Sequence, residues 1–229
     1  MTTLLVVAGD LHVNGTVALS PDKYTLDDGQ MFYPSKPQKW INRKWAEFWQ
    51  HAEQVKEQHG AEIVTLITGE AADINKHPSS QYITNHSGDA VGMAVKVLEP
   101  AKRLSDRIYV VRGSEAHVGL SGSLDEAVAR AIGAVPDANG RYSRFAFRGV
   151  IGGLKVDAQH HPGTSYGRPW TRGADANRLA QIVIDQYVRG KQLPPDLVIR
   201  GHAHRPSDSY DNHVTRAITL PSWKLTDSY

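Results

Sequence analysis

Cysteine is absent from this chain of 229 residues, which excludes disulfides and thiolate-bound metal and leaves His, Asp, Glu, Asn and carbonyl oxygen to hold any ion. Long hydrophobic runs are missing as well, since no stretch approaches the ~18 apolar residues of a membrane span. The opening Met1-Thr2-Thr3-Leu4-Leu5-Val6-Val7 has no basic region and reaches Asp10 too soon for a secretion signal. A soluble, cytoplasmic protein without membrane contact is expected. Charge of one sign is not in excess: 26 basic and 24 acidic side chains leave +2, far from the imbalance of a protein that coats nucleic acid by charge alone. A local basic patch is compatible with that balance. With 40% hydrophobic residues, no internal repeat and no plausible linker, the chain reads as one domain spanning residues 1–229.

Six short, largely β-branched apolar runs predict strands at 4–8, 63–68, 108–111, 154–158, 197–199 and 215–220. They lack polar alternates, as strands covered on both faces do, whereas 143–147 alternates polar with aromatic and reads as half exposed. Apolar residues recur at helical spacing in Ile41, Trp45, Phe48, Ala52 and Val55, and again in Ala90, Ala94, Val97, Ala101 and Leu104. Leu124 to Ala131 predicts a third helix, and Ala176 to Tyr187 a fourth that ends before Gly190. Trp40, Trp45 and Trp49 are expected to anchor the first helix. The order is that of an α/β protein. Three long irregular segments, 13–38, 74–88 and 162–173, remain as walls of a binding site.

Polar residues of metal-ligand type follow the strands. Asp10 and His12 close the first, Glu70 the second, His160-His161-Pro162 a later one, and Gly201-His202-Ala203-His204 another. In an open α/β sheet the crevice beyond the carboxyl ends of the strands is where ligands bind. Residues two apart point the same way if the backbone stays extended, so Asp10 with His12, and His202 with His204, each offer paired ligands. Imidazole nitrogen and carboxylate oxygen suit zinc, manganese and iron, and together these segments hold enough of both for a shared metal site.

In this order and spacing the sequence resembles the calcineurin-like metallophosphoesterase superfamily, whose signature runs Asp-x-His, Gly-Asp, Gly-Asn-His-Asp/Glu, a lone His, and Gly-His-x-His. The resemblance spans residues 6–204. It implies a four-layer αββα sandwich with two divalent metal ions (Mn, Zn or Fe) at its edge. Carried over, Asp10, His12 and His204 would hold one ion, Glu70 would bridge, and His160 with His202 would hold the second. His160 is preferred to His161 because the family's histidine usually stands two residues before Pro or Gly.

Two motifs depart from the family. Glu70 stands where the bridging Asp is expected and adds one methylene, about 1.5 Å of reach; the neighbouring carboxylate Asp73 could assist or substitute. Arg112-Gly113-Ser114-Glu115-Ala116-His117 replaces Gly-Asn-His-Asp/Glu. Ser114 takes the asparagine's place, a poorer ligand that could recruit Glu115. His117 lies two residues late, within reach of the leaving-group oxygen if a turn returns it, where it would act as general acid. Some viral relatives carry a similar Gly-Thr-Glu-Ala-His segment, which points to a subfamily variant.

The implied reaction is hydrolysis of a phosphoester, mono- or diester, by a water that two metals activate. Arg168, Trp170 and Arg172, in the segment after His160, are suited to phosphate and an aromatic base. A nuclease acting on DNA or RNA ends or single strands is an alternative. So is a non-catalytic binding module in which Glu70 and Ser114 mark a degenerate metal site. The oligomeric state is left open.

Overall fold

The computed structural model describes residues 2–74, 81–161 and 174–225. Its elements are β1 (Thr3–Ala8), β2 (Tyr24–Thr25), β3 (Met31–Phe32), α1 (Lys36–His59), β4 (Glu62–Ile67), α2 (Ser87–Val97), α3 (Glu99–Leu104) and β5 (Arg107–Val111). After these come α4 (Glu115–Val118), α5 (Ser123–Ala131), β6 (Ser143–Arg144), β7 (Ala146–Ile151), β8 (Leu154–Gln159), α6 (Asp175–Arg189), β9 (Leu197–Arg200), β10 (Ser207–Asp208) and β11 (Arg216–Thr219).

Two sheets form. The first runs β1-β4-β5-β6 and is parallel throughout; the second runs β10-β11-β9-β8-β7 with β11, β9 and β8 parallel. Because side chains alternate along a strand, each sheet has two apolar faces to cover. Val6, Ala8, Ile63 and Ile67 pack under Ile41, Trp45 and Trp49 of α1 and Met93, Ala94 and Val97 of α2. Their alternates Val64 and Leu66 meet Phe147, Val156, Ala158 and Ile199 of the second sheet. On that sheet's far side Val198 and Ala217 lie against Leu179, Ala180 and Val183 of α6. The result is helix, sheet, sheet, helix: a four-layer αββα sandwich.

All six predicted strands form. The pattern from Ala90 to Leu104, read as one helix, is broken into α2 and α3, with Pro100 in the first turn of α3. Proline lacks the N–H that a continuous helix would need there. α1 starts earlier than its apolar stripe, at a capping box in which Ser35 and Gln38 satisfy each other's backbone, and Gly60 ends it in the left-handed conformation. Trp45 and Trp49 are buried, but Trp40 is 47% exposed and anchors nothing. The half-exposed strand expected at 143–147 is two pieces. The chain leaves the first sheet after Arg144 and enters the second at Ala146, so β7 forms a hairpin with β8 that the sequence reading missed. Among the described residues no helix is long and apolar enough to cross a membrane.

Candidate metal centre

The carboxyl ends of β1, β4, β5, β8 and β9 point to one edge of the sandwich, and both sheets contribute. Beyond these ends the backbone turns sharply. Asp10 (φ 51°), His12 (φ 48°), Glu70 (φ 55°), His202 (φ 66°) and His204 (φ 55°) all adopt the left-handed conformation, which costs a non-glycine residue about 1–3 kcal/mol. The expectation that Asp10 and His12, and His202 and His204, are paired by extended alternation is therefore corrected: turns, not pleating, aim them. Long-range hydrogen bonds hold those turns. Asp10 N–H donates to Gly69 O (3.0 Å), His12 N–H to Glu70 O (2.8 Å), and His202 N–H to the Asp10 carboxylate (3.0 Å).

Glu70 lies at the middle. Its Oε2 is 3.0 Å from His12 Nε2, and its Oε1 is 2.9 Å from His160 Nε2. On the first side His12 Nε2 is 3.0 Å from His204 Nε2, and His204 is 3.6 Å from Asp10 Oδ1. On the second side His160 Nε2 is 3.1 Å from His202 Nδ1. A metal bound by nitrogen at about 2.1 Å with ligands roughly at right angles places those ligands about 3 Å apart. The donor atoms stand at that spacing.

The remaining nitrogens fix which atom of each ring faces Glu70. His160 Nδ1 must donate to the carbonyl of Thr68 (2.8 Å), so Nε2 is the atom turned to Glu70 and the one that would offer a lone pair to a metal once free of its proton. His12 Nδ1 donates to Asp73 Oδ2 (3.0 Å), with the same effect on its Nε2. A ring nitrogen and a carboxylate oxygen about 3 Å apart need a proton or a metal between them, and the donor set fits a divalent metal that takes the protons' place. The electrostatics express the same demand. Burial alone would lower the His12 pKa, but the carboxylates of Asp73 and Glu70 raise it from 6.5 to about 10. Burial opposes ionisation of Glu70, yet His12 and His160 hold its carboxyl well below the usual range. His160 is likewise raised against its burial, chiefly by Glu70.

The extra methylene of Glu70 has a place. A Cβ at residue 113 would collide with both Glu70 Cγ and the Glu70 backbone nitrogen, so Gly113 lets the two loops approach this closely. Asp125, on α5, fixes the backbone around it by accepting from the N–H groups of Glu70 (3.2 Å), Ala71 (3.0 Å) and Gly113 (2.7 Å). Burial pushes the Asp125 carboxyl up to about 6, against those hydrogen bonds. Sequence reasoning missed this residue, since nothing near Asp125 in the chain marks it.

Of the additional candidates, Asp73 stands behind His12, not in front of it. Its Oδ1 accepts from His117 Nδ1 (2.8 Å) and its Oδ2 is taken by His12, so both oxygens are spent on imidazoles. His117 sits on the one-turn helix α4 with its ring 4.9 Å from that of His12. Ser114 Oγ donates to Glu70 Oε1. His161 is exposed and its ring lies 4.7 Å from that of His202, in one cluster with His160. Glu115 instead accepts from Ser121 N–H (2.9 Å) and belongs to none of the ligand clusters among the described residues. Arg168, Trp170 and Arg172 lie outside the described residues.

No family model matches the chain, and no curated protein matches it. Solved structures do. Vps29 of Chaetomium thermophilum is 11% identical and matches 98% of this chain and 73% of its own, with a TM-score of 0.43. A novel archaeal phosphodiesterase is 13% identical over 95% of this chain and 83% of its own (TM-score 0.41). A 5′-nucleotidase from Candida albicans is 12% identical over 96% of this chain and 45% of its own (TM-score 0.44). The observed layering is the αββα sandwich that the motif resemblance implied. What the chain does must be read from its own side chains.

Proposed function

We propose that this protein is a metal-dependent phosphoester hydrolase of the calcineurin-like metallophosphoesterase type. The reading is carried by Glu70, whose two oxygens face two separate histidine sets at 3.0 and 2.9 Å. Asp10, His12 and His204 would hold one ion with Glu70 Oε2. His160 and His202 would hold the other with Glu70 Oε1, and His161 stands beside them. The N/O donor set suits Mn, Zn or Fe. When bound, two such ions supply a water of lowered pKa and neutralise charge on the phosphoryl group.

The chain's own residues do the rest. Asp73 orients both His12 and His117 through their Nδ1 atoms; only as an imidazolium would His117 also carry an Nε2 proton, which could then pass to a leaving alkoxide. Ser114 and Thr68 hold Glu70 and His160 in place. The buried position of Glu70, His12 and His160 keeps bulk water from screening these contacts.

The test is hydrolysis of bis(4-nitrophenyl) phosphate and 4-nitrophenyl phosphate by chain reconstituted with Mn, Zn or Fe, beside Asp10→Ala and His204→Ala. Metal-dependent turnover that both substitutions abolish supports the reading. Absence of turnover with every metal, together with fewer than two ions per chain by elemental analysis, would instead leave a non-catalytic binding module.

A further inference from the structure

Beside the metal centre the cavity does not end at the histidines. A pocket of about 300 Å³ is lined by Arg112, Gly113, Glu115, Phe145, Gln159, His160 and His161. Arg112 and Phe145 also line a second cavity of about 530 Å³, whose walls include Arg141, Arg144 and Arg148. The two cavities therefore adjoin at Arg112 and Phe145. Phe145 is 71% exposed although it is a large apolar side chain, and it stands at the point where the chain crosses from the first sheet to the second. That crossing is what puts it here: Ala146 pairs with Gln159, the residue before His160, while Arg112 N–H donates to Arg144 O (2.7 Å).

A chain of net charge +2 has thus gathered four guanidinium groups along one groove that leads from its candidate metals. Glu115 and Asp137 also line the groove, and Arg148 shares its charge with Asp157 at 3.0 Å, so the four guanidinium groups outnumber these carboxylates by one. Arg112 and Arg144 each spend one N–H on a backbone carbonyl, of Ser121 and Pro136 respectively. A polymer with a phosphate at every step and a flat ring between steps matches an exposed aromatic flanked by arginines.

We propose that this groove binds single-stranded nucleic acid, with the base next to the reacting phosphate stacked on Phe145 and the following phosphates on Arg112, Arg144 and Arg141. The proposal deepens the phosphoesterase reading by naming its substrate class, and rests on it for the direction of the strand toward the metals.

Fluorescence anisotropy of labelled dT12 and rU12 with the full chain at 4 °C tests the groove without requiring turnover. Either strand should bind at least about tenfold tighter than thymidine monophosphate, and whichever binds more strongly identifies the sugar. Phe145→Ala should weaken binding roughly 5- to 100-fold while Phe145→Tyr retains it. Arg141→Glu should flatten the slope of log K against log salt by about 0.7, one phosphate contact. Melting temperature and metal content report whether each variant is folded.

Equal binding of the mononucleotide, of a 12-base-pair duplex or of poly-glutamate would overturn the proposal, as would indifference to both folded variants. If bis(4-nitrophenyl) phosphate is hydrolysed but the 12-mers do not bind, the groove assignment fails alone. If the 12-mers bind and nothing is hydrolysed, the phosphoesterase reading fails alone.

Discussion

Replacing Glu70 by Asp would give the chain the residue its resembled family carries at this position, and the geometry says that metal binding should become worse. One methylene fewer withdraws the carboxylate by about 1.5 Å. Contacts that now measure 2.9 and 3.0 Å would then open well beyond bonding reach on at least one side. The backbone cannot follow, because Asp125 grips the N–H groups of Glu70, Ala71 and Gly113 together. Removing mere outer-shell support typically costs about 10- to 100-fold in metal affinity, so losing a bridging ligand should cost at least that. With Mn at one hundred times its wild-type Kd, metal stabilises the fold by about 2.7 kcal/mol, and a hundredfold loss leaves about 0.4 kcal/mol. The metal-free variant should also lose the contacts of Glu70 with His12 and His160, offset in part because Asp tolerates the left-handed φ of 55° better than Glu, so the Mn-dependent increment in Tm is what reads metal affinity. Thermal unfolding with and without Mn, with elemental analysis of the same samples, reads both quantities. Two ions held at wild-type affinity by Glu70→Asp would refute the bridging role.

Other outcomes are expected from the same contacts. His117→Ala should reduce hydrolysis of esters with alkoxide leaving groups by roughly 10²- to 10⁴-fold and spare 4-nitrophenyl esters, whose leaving group needs no proton; equal losses on both would remove His117 as the acid. Asp125→Ala should lower metal stoichiometry at micromolar Mn although Asp125 faces no ion, and an unchanged count would show that the clamp on the two loops is dispensable. In the metal-free chain, His12 carries a pKa raised from 6.5 to about 10 against its burial, so its contribution to stability is full below 6.5 and lost as pH rises through about 10. Glu70 is lowered, so its contribution is present above 4.5 and lost in acid. Stability of the stripped protein should therefore be greatest between about pH 4.5 and 6.5, and Mn binding at pH 8 should release protons, measurable by titration calorimetry in two buffers. No proton release would mean that His12 is not displaced from its proton by metal.

Much of this protein is local chemistry and was legible as such. Runs such as Leu4 to Ala8 and Ile63 to Ile67 form strands because β-branched residues covered on both faces have few alternatives, and the histidines and carboxylates after them fall at one sheet edge because parallel strands share a direction. The amino-acid order therefore determined which side chains would be available and on which side of the sheets. It could not say how they are aimed. The left-handed turns at Asp10, His12, Glu70, His202 and His204 are held by hydrogen bonds between residues as many as 192 positions apart, and no local preference predicts a conformation that local energetics disfavour. The placing of Asp73 between His12 and His117, the clamp of Asp125, and the crossing at Phe145 likewise depend on loops meeting only when two sheets stack. Composition and periodicity act within one or two turns of chain; the charge balance and reach of a site are set by what packing brings opposite it.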